Sequence, residues 1–142
     1  MNEREDTYVR YIRFYITCHK KGLKRFSRFL WWINRLIFSC DIPPQVTIGK
    51  LLHLPHFGLR VVIHPASIIG NNVTIYQHVT IGAKNNEWNV VVGDNVFLGA
   101  GAKILGNINI GYNVKVGANS VVLKSLPDNC TAVGIPAKII SK

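Results

Sequence analysis

Five histidines, a handful of carboxylates and three cysteines are the residues of this 142-residue chain that could move a proton or attack a carbon. A neutral imidazole can take a proton from a hydroxyl, and a carboxylate on its second nitrogen fixes the tautomer and stabilises the imidazolium that forms. His19 lies in a basic segment and reads as a solvated side chain. His53, His64 and His78 fall at turn or outward positions of a repeat. His56 differs, because it sits where that repeat is interrupted, after Pro55 and two residues before Gly58. Cys18, Cys40 and Cys130 are an odd number at wide spacing, which is neither a disulfide framework nor a metal motif. No serine or cysteine neighbours His56 in sequence, and Cys40 reads as a small buried hydrophobe, so nothing points to a covalent intermediate.

The elements that must position these groups follow from a period of six. Aliphatic residues recur at Ile63, Ile69, Ile75 and Ile81, then at Val92, Leu98, Ile104, Ile110, Val116 and Val122. Glycine follows many of them directly, as at Gly70, Gly93 and Gly111, and asparagine fills the turns at Asn72, Asn95, Asn113 and Asn119. Six is too long for a helical period. It suits two-residue strands joined by turns that need positive φ, which glycine and asparagine supply at low cost. Three such strands close one triangular coil, and coils stack as a parallel β-helix with the aliphatic residues inside.

The period breaks twice. Leu54 to Ile63 spans nine residues, and Ile81 to Val92 spans eleven; such insertions emerge as loops. Ile42, Ile48 and Leu54 form the three sides of one coil, which closes just after His56 about one strand spacing, ~4.8 Å, from its start. Asp41, directly before Ile42, is therefore expected to meet His56. The chain divides into a helical leader over 1–40, the β-helix over 41–127 and a tail over 128–142.

The leader carries the charge. The net charge is +10, and Thr7 to Cys40 holds eight Lys or Arg and no Asp or Glu. Gly22 separates two helical stretches, the second with Phe26, Phe29, Leu30, Ile33, Leu36 and Ile37 at spacings of three and four. These helices are expected either to pack on the β-helix or to lie on an anionic membrane surface with Trp31 and Trp32 at headgroup level. No nucleic-acid recognition motif accompanies the charge. No apolar run reaches spanning length and the polar start lacks a signal peptide's features, so the expected location is the cytoplasm, peripheral at the inner face of the membrane if the leader docks there.

Residues 40–140 resemble the serine acetyltransferase family of hexapeptide acyltransferases, on the motifs CDIPPQVTIGKLLHLPHFGLRVVIHP, NNVTIYQHVTIG, VGDNVFLGAGAKILGNINIG and VGIPAKII. The resemblance implies a left-handed parallel β-helix, a homotrimer and acetyl-CoA as co-substrate, with no metal. It also implies His56 as general base with Asp41 orienting it, and Gly82, Ala83, Ala100, Gly101, Ala118 and Lys138 along the coenzyme. Where the serine enzymes carry an Arg-His pair that helps hold the amino acid, this chain has Trp88 and Asn89. The short leader and the LPH motif look like the branch found in capsule and exopolysaccharide clusters. The expected acceptor is thus a hydroxyl on a sugar of a surface polysaccharide or its precursor. L-serine is the alternative, and a non-catalytic β-helix that binds or scaffolds is the second.

Overall fold

A computed structural model describes residues 6–141. Two helices open the chain, α1 (Thr7–Lys20) and α2 (Lys24–Phe38), joined through Gly22 at φ 88°. The rest is a three-sided prism of short strands. Its first face stacks β1 (Thr47–Ile48), β3 (Ile68–Ile69), β6 (Val91–Val92) and β9 (Asn109–Ile110). Its second stacks β4 (Thr74–Ile75), β7 (Phe97–Leu98), β10 (Lys115–Val116) and β12 (Thr131–Gly134). Its third stacks β2 (Val62–Ile63), β5 (Thr80–Gly82), β8 (Lys103–Leu105) and β11 (Val121–Val122). Every pairing among these is parallel, and single bridges extend the faces upward at Asp41–Val62 and His53–Thr74.

The register explains the period. Ile63, Ile81, Ile104 and Val122 lie one above another on the third face, as do Ile69, Val92 and Ile110 on the first. All ten repeating aliphatic residues are buried. Each contributes roughly 1.5–3 kcal/mol through burial. The chain turns from first to second face through left-handed residues, Leu51, Asn72, Asn95, Asn113 and Asn129, each near φ 55°. Their side chains form a ladder, with Asn72 Nδ2 donating to Asn95 Oδ1 (2.6 Å) and Asn113 Nδ2 to Asn129 Oδ1 (2.9 Å). Glycine precedes this corner because a Cβ on Gly70 would stand 2.7 Å from the carbonyl carbon of Gly93 below it.

The coil runs past residue 127, where the sequence suggested it would stop: Ala132 of β12 stacks on Val116. β13 (Ala137–Ser141) then turns back antiparallel to β12. At the other end α1 packs on the first coil. Val9, Ile12 and Tyr15 join Ile42, Val46 and Leu52 in one core, and the Tyr15 hydroxyl donates to the Ile42 carbonyl (2.6 Å). The Arg13 guanidinium caps the carbonyls of Ile48 and Gly49. α2 lies on α1, fixed by the Tyr11 hydroxyl on the Leu30 carbonyl (2.7 Å) and the Ser27 hydroxyl on the Tyr15 carbonyl (2.7 Å). Among the described residues no helix is long and apolar enough to cross a membrane.

Candidate active site

The corner between second and third faces carries the first insertion. Arg60, His78, Gly101 and Asn119 make the regular left-handed turn there, coil after coil. Backbone bonds join them in a column: His78 N–H to the Leu59 carbonyl (2.9 Å), Gly101 N–H to that of Gln77 (2.9 Å), and Asn119 N–H to that of Ala100 (2.8 Å). In the first coil the inserted residues are His56, Phe57 and Gly58, all left-handed at φ 56°, 56° and 60°. Gly58 is needed twice over, for its φ and because a Cβ would stand 3.1 Å from Cys40 Sγ. Two successive non-glycine residues in this region are costly, on the order of 1–2 kcal/mol each, and persist only where the surroundings hold them.

The helices supply that hold. The Phe57 ring packs edge-on against Tyr8 (centroids 5.8 Å) and beside Phe38 (5.7 Å), and Tyr8 and Phe38 touch each other (4.6 Å). The Tyr8 hydroxyl donates to Asn34 Oδ1 (2.9 Å), and Asn34 Nδ2 donates to the Cys40 carbonyl (2.8 Å). Burial raises the Tyr8 hydroxyl far above its ordinary pKa, so it stays protonated and keeps donating. His56 itself is exposed, in a depression of about 400 Å³ with Asp6, Thr7, Tyr8, Leu54 and Pro55.

Asp41 lies elsewhere. Its strand pairs with Val62, and its side chain stands outward on the third face under α2. Oδ1 accepts from Trp31 Nε1 (3.0 Å), and Oδ2 is 3.7 Å from Arg35 Nε. Among the described residues no hydrogen bond or ion pair joins Asp41 to His56. The coil does return close to its start, but side chains alternate along a strand. Cys40 is the neighbour that meets the returning turn, at Gly58, while Asp41 points into a separate cleft of about 590 Å³. That cleft is bordered by Lys24, Arg28, Trp31, Arg35, His64 and Gly82. The buried Cys40 thiol is pushed up to about 11, chiefly by burial, which fits a packing role.

The positions assigned to the coenzyme fall on both edges of the third face. Ala100, Gly101 and Ala118 lie in the turns that enter β8 and β11, in the same corner column as His56. Gly82 and Ala83 lie at the opposite edge, where β5 ends. Lys138 is exposed on β13 opposite Val133, whose side chain fills the space beside Gly117. His64 lines the Asp41 cleft, and the Trp88 indole is stacked on it at 5.9 Å. Lys103 donates to the His78 carbonyl (2.7 Å). Among the described residues no group of three or more His, Cys, Asp or Glu could hold a metal ion.

Sequence reasoning missed Tyr8, Asn34 and Phe38 as supports of the His56 turn, since nothing in their spacing ties them to it. Of the two expectations for Trp31, packing or a lipid headgroup layer, the structure shows the first: its indole turns inward and donates to Asp41.

The bacterial transferase hexapeptide family, described as six repeats, matches residues 89–124. The chain is 47% identical over 119 residues to a serine acetyltransferase of Staphylococcus aureus strain Mu50, covering 82% of this chain and 55% of the relative. Among solved structures, serine acetyltransferase from Brucella abortus strain S19 superposes with a TM-score of 0.89 at 37% identity, over 95% of this chain and 55% of that one. The soybean enzyme complexed with serine superposes at 0.86 and 38% identity, over 94% and 56%. The chain therefore spans about half the length of the relatives it matches. These findings overturn the expectation of a sugar acceptor: the similar proteins are serine acetyltransferases, one with coenzyme A bound, two with serine and one with cysteine. The Trp88-Asn89 departure had weighed against serine. The similarity to serine acetyltransferases outweighs it; within the chain the Trp88 ring stacks on His64.

Proposed function

We propose that the chain is the acyl-transfer part of a serine O-acetyltransferase, built on the left-handed coil of its relatives and using acetyl-CoA as co-substrate. The observation that carries the proposal is the agreement of sequence and fold with serine acetyltransferases from bacteria and soybean. His56 is the general base in this reading. It is exposed, at the head of the corner column that runs down past Ala100, Gly101 and Ala118 toward the β12–β13 hairpin bearing Lys138. A thioester is already activated, so the step needs little more than a base. The serine hydroxyl attacks the acetyl carbonyl as the imidazole takes its proton, and the proton then passes to the departing thiolate. Small residues along the corner leave backbone amides accessible to a pantetheine arm, and Lys138 offers a point charge to phosphate.

Asp41 does not touch His56 in the single chain and takes no part in the proposed step, its carboxylate being engaged by Trp31 and Arg35. Gly82 and Ala83 belong to the same coenzyme groove only if two prisms stand side by side, the edge of one facing the His56 corner of the next. We therefore include a homotrimer in the proposal. The test is thiol release from acetyl-CoA with L-serine as acceptor, with mass measured by sedimentation. O-acetylserine formed by a trimer supports the reading. Thiol release unchanged by L-serine, or full activity from a monomer, overturns it.

A further inference from the structure

Both helices present an outer face that nothing among the described residues covers. On α2, Phe26, Phe29, Trp32, Leu36 and Ile37 are each 47–74% exposed, and Phe14 of α1 and Leu23 at the turn extend the patch at 55% each. Phe14 and Phe26 meet edge-on at 6.5 Å, so the apolar strip crosses from one helix to the other. It continues into a groove of about 420 Å³ between the helices, lined by Leu30, Ile33, Phe38 and Phe57. Contiguous apolar surface of this extent marks an interaction site.

The charge identifies what covers it. Lys20, Lys21 and Arg25 neighbour the patch along the chain, all exposed and without an ion-pair partner among the described residues, while Lys24 and Arg28 turn to the Asp41 cleft. From Thr7 to Cys40 there is no acidic side chain to answer them. A second copy docking face to face would bring two such sets of cations together, which disfavours self-association. An anionic bilayer answers both features: acyl chains take the aromatic and aliphatic side chains, and phosphates take the cations. Trp32, half-exposed on α2, has the amphipathic ring that settles at that interface. We propose that the outer face of α1 and α2 is a docking surface for anionic phospholipid membrane, with α2 lying in the plane of the interface. Phe57 closes one end of the groove, so docking would bring the His56 turn close to the lipid surface.

The experiment is co-sedimentation of the full chain with vesicles of phosphatidylglycerol and phosphatidylcholine in equal parts, and with phosphatidylcholine alone, at low and at physiological salt. Binding is expected to the anionic vesicles only, weakened by salt. Arg25→Gln should weaken it about fivefold, the effect of one cation near such a surface. The Phe29→Ser/Trp32→Ser pair should weaken it by about a hundredfold or more through lost burial. Both positions face outward, so the thermal transition should be unchanged and a folding defect would be visible. No binding to anionic vesicles at low salt overturns the proposal, as does equal binding to neutral vesicles. A dimer that Phe29→Ser/Trp32→Ser dissolves, with no vesicle binding by the parent chain, assigns the face to a second copy instead.

Discussion

Two corners of the same prism solve the same turning problem by different means. Between first and second faces the chain turns through Leu51, Asn72, Asn95, Asn113 and Asn129, and in the lower coils each turn rests on an identical one below. Between second and third faces the regular turn at Arg60 is preceded by His56, Phe57 and Gly58, three left-handed residues that no other coil repeats at this corner. The asparagine corner is stable because its residues suit their conformation. The His56 corner is stable because Tyr8 and Phe38, brought from outside the prism, clamp a conformation its own residues disfavour. Regularity in this molecule builds the scaffold, and the departure from it presents a titratable side chain to solvent.

Substitutions at each corner sharpen that contrast. The largest expected effect is on chemistry. His56→Asn keeps a residue tolerant of φ 56° but removes the proposed base, and should lower the proposed serine acetylation at least ~10³-fold with an unchanged thermal midpoint. Wild-type activity from this variant would move the base elsewhere. In the scaffold, Ile104→Ala empties a fully buried site and should cost about 2–5 kcal/mol of stability in denaturant unfolding, with little effect on the Michaelis constants of surviving protein. Phe38→Ala loosens the clamp. It should lower kcat about tenfold while leaving the Michaelis constant for acetyl-CoA near its original value, because a mobile turn misplaces the base without altering the groove. If kcat is unchanged, the clamp does not position His56.

The smallest effect belongs to the asparagine corner. Asp94 accepts from the Asn71 backbone N–H (2.6 Å) and from its side chain, and these bonds hold its carboxyl below the usual carboxylate range. A depressed pKa contributes stability that is present at neutral pH and is lost as pH falls through the carboxylate range. A melting series at decreasing pH should show the midpoint drop, and Asp94→Asn should flatten that drop slightly. Asp94 is fully solvated, so a large flattening would mean that this corner depends on charge more than its exposure allows.

Much of this architecture is legible in one sequence, for a physical reason. An inward residue must recur on every side of every coil, so Ile63 to Val122 announce the prism, and the turns announce themselves through asparagine and glycine. His56 is legible as an interruption of that rhythm. Its support is not, because Tyr8 and Phe57 are 49 positions apart and their contact depends on how α1 settles on the first coil. Asp41 shows the limit of arguing from coil closure alone. The return of the chain was read correctly, but the direction of alternate side chains sends the carboxylate to Trp31 and Arg35. The expectation of a sugar acceptor fails against the serine acetyltransferase relatives because it rests on two loop residues, Trp88 and Asn89, whereas specificity rests on a whole site.

The reversed strand β13 has a consequence for assembly. A stack of identical coils carries no internal instruction for its own length, since each lower rim is a template for the next. Helix α1 plugs one rim with aliphatic side chains, and on the second face β13 occupies the other, running against the direction a further coil would need. The hairpin thus acts as a terminator of growth, converting what could propagate as a fibre into a particle of fixed height.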